Sequence, residues 1–241
     1  VSDDRLVRVL AYLADLAAAN HTVVSSGTAC EACVALLDVD GAGLSLMNGS
    51  GQGETQYATN KISALIEDTQ FTMGEGPGVD AFRSAMPVLV SDLDSGSGRR
   101  RWPMFTAVAV TAGVRAVFAF PLRSGAIRLG TLAAHRSTPG PLTSGQVADA
   151  LVVADLILSQ LLGELRPTHH PPGGRPTDGF PLSRTEVHQA AGMISAQLGV
   201  PMEEAMMRLR AYAFAHERTI ADVARDVVTR RLRLNPEPDP T

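Results

Sequence analysis

Only two cysteines occur among the 241 residues. That is too few for a disulfide framework, and the scarcity points to a reducing compartment. No stretch reads as the roughly 20 apolar residues that a membrane helix requires. The acidic start Val1-Ser2-Asp3-Asp4 lacks the basic-then-apolar pattern of a secretory signal. The expectation is a cytoplasmic protein with no membrane partner. No internal repeat is found, which excludes a solenoid. No single sign of charge dominates either, since the net charge is −4. Apolar residues make up 45% and charged residues 19%, a balance that excludes wide disorder.

The charge that is present is unevenly placed. Ser183 to Arg233 holds eight Arg against six Asp or Glu, a net of +2. Val1 to Leu165 holds eleven Lys or Arg against sixteen acids, a net of −5. Between them runs Arg166 to Pro181, where prolines and glycines forbid a continuous helix. The chain therefore reads as a large domain over 1–165, a linker over 166–181, a small module over 182–234 and a frayed Pro-rich tail over 235–241. A mildly basic module fits a local nucleic-acid face; a solvated helical surface has the same composition.

The small module reads as three amphipathic helices. Ser183 with Glu186 forms a capping box, with Leu182 and Val187 as its staple. The apolar stripe that follows is Val187, Ala190, Ala191, Ile194 and Leu198, stopped by Gly199. Pro201 opens a second helix striped by Met202, Ala205, Met206, Leu209 and Ala213. Thr219 with Asp222 caps a third, striped by Ile220, Val223, Ala224, Val227, Val228 and Leu232. In order and without gaps, Gln189-Ala190-Ala191-Gly192, Glu204-Ala205, Leu209-Arg210, Arg218-Thr219-Ile220 and Asp222-Val223-Ala224 resemble the ANTAR domain. The resemblance implies a three-helix module that binds paired RNA hairpins in nascent transcripts and prevents terminator formation. It implies RNA contacts at Arg184, His188, Gln189, Gly192, Arg208, Arg210, Arg218 and Thr219. Ala191 and Thr219 stand where that family usually has Lys, so two cations that would sit near phosphate are absent.

The large domain mixes helices and strands. Helical spacing covers Arg5 to Ala19, Ser25 to Leu37, Ile62 to Phe71 and Trp102 to Ala112, and Thr143 with Gln146 caps a helix reaching Leu165. Strands are expected over Ala42 to Asn48, Gln56 to Asn60 and Pro87 to Val90. A hairpin joins Arg115–Leu122 to Ile127–His135 around Ser124-Gly125. Such an order makes an α+β domain. Phe71-Thr72-Met73-Gly74-Glu75-Gly76-Pro77-Gly78, Val88 to Leu93, Trp102-Pro103 with Phe105, Phe120-Pro121-Leu122 and Leu129 to Leu132 resemble a GAF domain, in the actinobacterial arrangement where it precedes an ANTAR domain. The expected fold class is thus α+β: a GAF-like antiparallel sheet flanked by helices, then an all-α three-helix module. The resemblance implies a sensor of a small-molecule or protein signal, working as a homodimer.

The remaining motifs carry two readings each. Gly74 to Gly78 is a glycine-rich loop whose amides can cradle phosphate, although turn chemistry suffices to explain it. Asn60-Lys61, Phe71 and Glu75 partly echo a nucleotide-binding GAF pattern, but Gly74 replaces the companion aspartate. Cys30 and Cys33 put two thiols on one helix face, a C-x-x-C pair that can serve redox chemistry or metal binding; no second pair stands at zinc spacing, so buried apolar thiols are the better reading and no metal site is expected. A pocket is expected among Phe71, Met73, Glu75, Trp102, Phe105 and Phe118. His135, a lone histidine, is weak support for a haem. Arg99-Arg100-Arg101 reads as a solvated loop. No catalytic residue and no cofactor are expected. The competing reading is a sensor whose helical tail binds a protein instead of RNA.

Overall fold

The computed structural model describes residues 3–47, 53–164, 182–216 and 218–234, with backbone alone at 3, 164 and 182–185. The expected linker and C-terminal tail lie outside the described residues. Cα packing divides the chain into two units, Val1–His170 and Pro171–Thr241.

The N-terminal unit is built on a five-stranded antiparallel sheet in the order β2-β1-β5-β4-β3. The strands are β1 (Gly41–Met47), β2 (Gly53–Ala58), β3 (Val88–Val90), β4 (Ala116–Ser124) and β5 (Ile127–Arg136). β4 and β5 form the expected hairpin, with Ser124 opposite Ile127 and Gly125 at φ 57° in the turn. Strand alternation gives the sheet two different faces. One face presents Ala42, Leu44, Phe118, Phe120, Leu122, Leu132 and Ala134 to α1 (Asp3–Ala19), α2 (Ser26–Leu37) and α7 (Ser144–Glu164). Burying each large side chain there contributes about 1.5–3 kcal/mol. Arg8 Nη2 donates to Asp149 Oδ1 at 2.6 Å, and Arg5 pairs with the same oxygen, so α1 is tied to α7 by charge as well as by Val9 and Leu13.

The opposite face is small and polar. It carries Gly41, Gly43, Ser45, Ala119, Thr131, Ala133 and His135. Small residues here let helices approach closely. Glu67 of α3 (Lys61–Met73) lies so near Gly43 that a Cβ there would be 2.8 Å from its Cγ. Ala81 of α4 (Pro77–Ser84) packs on Ala119 and Ala133. Phe105 and Ala109 of α6 (Pro103–Thr111) pack with Ile66, Trp102 and Val117.

Three features of the N-terminal unit stand out against the sequence expectation. α4 begins inside the expected glycine-rich loop and runs on where no element was expected, and α5 (Gly96–Arg101) is a helix where the Arg99–Arg101 run was expected to be a loop. Ser95 caps α5, and a Cβ on Gly98 would stand 2.3 Å from the Leu93 carbonyl, so a glycine-rich segment is helical because only glycine fits the approach. The third is α7: Ser144–Gly163 has the length and apolarity to cross a membrane, contrary to the expectation that no segment does. Its two charges, Asp149 and Asp155, interrupt the run without lowering its mean hydropathy enough. In this unit Val152, Val153, Ile157 and Leu158 bury that apolarity in the core.

The described residues of the C-terminal unit form three helices, α8 (Leu182–Leu198), α9 (Met202–Ala215) and α10 (Ile220–Val228). Most of the three expected stripes meets: Val187, Ala190, Ala191 and Ile194 are buried with Met206, Leu209, Ala213, Ile220, Val223, Ala224 and Val227, each at most 6% exposed, whereas Met202, expected in the second stripe, is 41% exposed and Leu198, Val228 and Leu232 are half-buried. α8 begins at Leu182, so Ser183 lies inside the helix and not at its cap. α10 ends at Val228 with Thr229 as its C-cap, short of Leu232, and Arg230 then turns left-handed at φ 59°.

Candidate functional site

The interior beneath α3 is a chain of buried polar groups. Asn60 caps α3 by accepting the Ser63 backbone N–H at 2.8 Å, and its amide donates to the Asp40 carbonyl. One helical turn on, Ser63 Oγ meets His135 Nε2 at 3.1 Å. Another turn on, Ser45 Oγ donates to Glu67 Oε2. A further turn brings Gln70, whose Oε1 accepts the Gly78 backbone N–H at 2.6 Å. Ser63, Glu67, Gln70, Thr131 and His135 are all at most 4% exposed. Gln70 Nε2 and Thr131 Oγ1 have no partner inside this layer. Burial lowers the His135 pKa, against a smaller upward pull from Asp40. His135 Nε2 is thus held by Ser63 in a buried hydrogen bond.

The expected pocket residues divide. Phe71 and Met73 end α3; Trp102 and Phe105 pack on the α6 side. Phe118 lies on the other face of the sheet, in the core with α1, α2 and α7, under the Arg136 guanidinium at 5.7 Å. Strand alternation is the reason: Val117 and Ala119 face α4 and α6, so Phe118 faces away. Glu75 is already occupied, because its Oε1 accepts the backbone N–H groups of Met104 and Phe105 at 2.8 and 2.9 Å, capping α6. The glycine loop is likewise committed to chain geometry: Gly74 ends α3 at φ 67°, Gly76 opens α4 at φ 134°, and Gly78 N–H is spent on Gln70. Asp80, which sequence reading missed, accepts from Trp102 Nε1 at 3.1 Å and Arg101 Nε at 2.8 Å. The Arg-rich run is therefore partly paired, with Arg99 bound to Asp94 as well.

Cys30 and Cys33 are fully buried on α2. Burial pushes the Cys33 thiol up to about 12 and the Cys30 thiol well above its ordinary value. Thiolate chemistry is suppressed at both. Among the described residues no three His, Cys, Asp or Glu side chains come together as a metal site.

In the C-terminal unit the expected RNA contacts fall on different surfaces. Gln189 is exposed, while His188 and Gly192 are half-buried on α8. Arg184 lies in the first turn of α8, and its side chain is outside the described residues. Arg208 donates to Glu204 at 2.7 Å, one turn back on α9. Arg210 is half-buried on the same helix. Arg218 Nη2 donates to Asp226 Oδ2 at 2.7 Å, which raises its pKa further. Thr219 Oγ1 accepts the Asp222 N–H at 3.1 Å, the expected cap of α10. Ala191 is fully buried between the helices, so that position offers no open face to phosphate. Arg230, Arg231 and Arg233 are exposed after α10.

A GAF domain model matches residues 13–161, and an ANTAR domain model matches residues 182–228. Similar solved structures include the GAF domain of a phosphoenolpyruvate-protein phosphotransferase from Coxiella burnetii. It is 12% identical, with 67% of this chain and 96% of that chain covered at a TM-score of 0.47. The GAF-B domain of DevS from Mycobacterium smegmatis is 18% identical, with 58% and 93% covered at a TM-score of 0.43. A type II free methionine-R-sulfoxide reductase from Thermoplasma acidophilum is 15% identical, with 57% and 89% covered at a TM-score of 0.43. Comparison with curated proteins finds no match. With more than half of its length matched by one model and its last three helices by another, this chain belongs to the GAF domain family and carries an ANTAR domain over residues 182–228.

Proposed function

We propose that this chain is a cytoplasmic, signal-responsive RNA-binding antiterminator of the actinobacterial GAF–ANTAR kind. The observation that carries the reading is the ANTAR match over 182–228, on a unit whose packed core leaves arginines at its surface. Arg210 and Arg218 carry the strongest RNA contacts, because a guanidinium pairs bidentately with phosphate or a guanine edge. Arg184, His188, Gln189, Gly192 and Arg208 are auxiliary contacts. Arg218 keeps its role despite Asp226, since a guanidinium has five donors and one carboxylate oxygen takes only part of them.

The mechanism needs no covalent chemistry. A small-molecule or protein signal acts on the α3–α6 side of the sheet, where Phe71, Met73, Glu75, Trp102 and Phe105 lie; Phe118 supports the sheet from behind. Two chains pair, and two ANTAR units then meet two hairpins of a nascent transcript. Leu6, Val7 and Leu10 of α1 and Leu151 of α7, each 38–64% exposed, support pairing through these helices. Pairing raises the effective concentration of the second unit on a tandem target. A coupling of about 1–3 kcal/mol between signal and RNA suffices for a switch.

The test is to sequence RNA crosslinked to the full chain, then measure binding of a recovered two-hairpin RNA. Arg218→Ala weakens binding about tenfold and reduces the slope against log salt by about 1. Unchanged affinity and slope in both Arg218→Ala and Arg210→Ala sinks the reading.

A further inference from the structure

We infer that Arg230, Arg231 and Arg233 form a strip that holds RNA phosphates, on the segment that follows α10. The inference rests on the RNA reading above and adds a contact surface beyond residues 182–228, where the ANTAR match ends.

Ion pairing separates these arginines from others of the unit. Arg208 pairs with Glu204 and Arg218 with Asp226, both at 2.7 Å, and Arg225 lies 3.3 Å from both Glu186 and Asp222. Among the described residues, no carboxylate pairs with Arg230, Arg231 or Arg233.

The fold turns the three outward. The Thr229 N–H donates to the Arg225 carbonyl and the Arg230 N–H to that of Val227. Arg231 and Leu232 both donate to the Asp226 carbonyl, at 2.7 and 3.0 Å. These carbonyls at the end of α10 already accept backbone donors, so capping does not account for the guanidinium groups. Burial then alternates: Arg231 is exposed, Leu232 half-buried, Arg233 exposed and Leu234 buried. Gln197 Nε2 fixes the end of the segment by donating to the Leu234 carbonyl at 3.0 Å. Arg230 holds φ 59°, a left-handed conformation that favours glycine. The chain thus places a third cation where glycine would make the turn without strain.

Charge selects the occupant. Three unpaired cations within four residues repel one another until an anion lies across them. Glu237 and Asp239 follow in sequence and leave residues 229–241 at 3 − 2 = +1. Each guanidinium matches two oxygens of one phosphate, and a nucleic-acid strand offers phosphates in a row. Such contacts position the strand and carry no sequence information. The strip therefore grips backbone, and base reading stays with the helices.

The test uses the full chain and two synthetic RNAs: a pair of hairpins, and the same pair with scrambled loops. Binding of each is measured over a range of salt. Arg231→Gln with Arg233→Gln weakens both RNAs by the same factor, about tenfold, and reduces the slope against log salt by about 2. Arg231→Lys with Arg233→Lys keeps the slope. Arg230→Gly lowers the slope by about 1 while the urea midpoint holds or rises, because strain leaves with the charge. If the Gln pair leaves affinity and slope unchanged, the strip is wrong, while a loss in Arg218→Ala leaves the RNA reading standing. If the Lys pair loses as much as the Gln pair, or the Gln pair changes only the preference between the two RNAs, phosphate gripping is overturned. If the wild type binds neither RNA, the RNA reading itself falls and takes the strip with it.

Discussion

Gln70 accepts the backbone N–H of Gly78 at 2.6 Å, so the end of α3 closes the start of α4 with a side chain from within the unit. Gly76 is drawn into this closure as well. It sits at φ 134°, and a Cβ there would stand 2.7 Å from Gln70 Cγ. The sequence motif that resembles a phosphate cradle is thus a hinge between two helices whose first free amide is already taken.

Gly76→Ala accordingly costs about 1–3 kcal/mol, the usual range for a side chain forced into a region that favours glycine. Urea unfolding of the variant and the wild type measures the difference. An unchanged midpoint would show that the α3–α4 junction relaxes freely.

His135 makes stability depend on pH. Burial lowers its folded pKa below the ordinary 6.5, so between those two values the unfolded chain binds more protons. Stability therefore rises with pH across that window. It is complete above about 6.5 and declines as pH falls toward the folded value. His135→Gln flattens this part of the curve. Urea titrations between about pH 5 and 8 give the slopes, and an identical slope in the variant would remove His135 as the cause.

Thr219 separates a capping role from an RNA contact. Thr219→Ala removes the acceptor for the Asp222 N–H and costs about 1 kcal/mol. Hydrogen exchange in the first turn of α10 then speeds up about fivefold, and Thr219→Ser restores it. A fall in hairpin affinity with unchanged exchange would instead place Thr219 against RNA.

Much of this architecture was legible from residues alone. The stripes of the last three helices contain every element of their common core, from Val187 to Val227, because a 3.6-residue period leaves few ways to bury them. The hairpin of β4 and β5 was legible from its glycine turn and alternating apolar residues. α4 and α5 were not, since Pro77-Gly78 and Gly96-Ser97-Gly98 have turn composition; tertiary contacts at Gln70 and Leu93 make them helical. The pocket residues were partly misgrouped because Phe118 and Trp102 are alike in type, and only strand register separates them.

The sequence by itself determined the two kinds of unit and the positions of the arginines, because periodicity, caps and charge are local properties. Only the tertiary structure decided what those side chains touch. It buried Ala191, gave Glu75 to the amides of α6, set Glu204 and Asp226 against Arg208 and Arg218, and left Phe214 in water. The physical reason is that partners distant along the chain are chosen by packing: a charge or a ring has a role only once the surface around it exists.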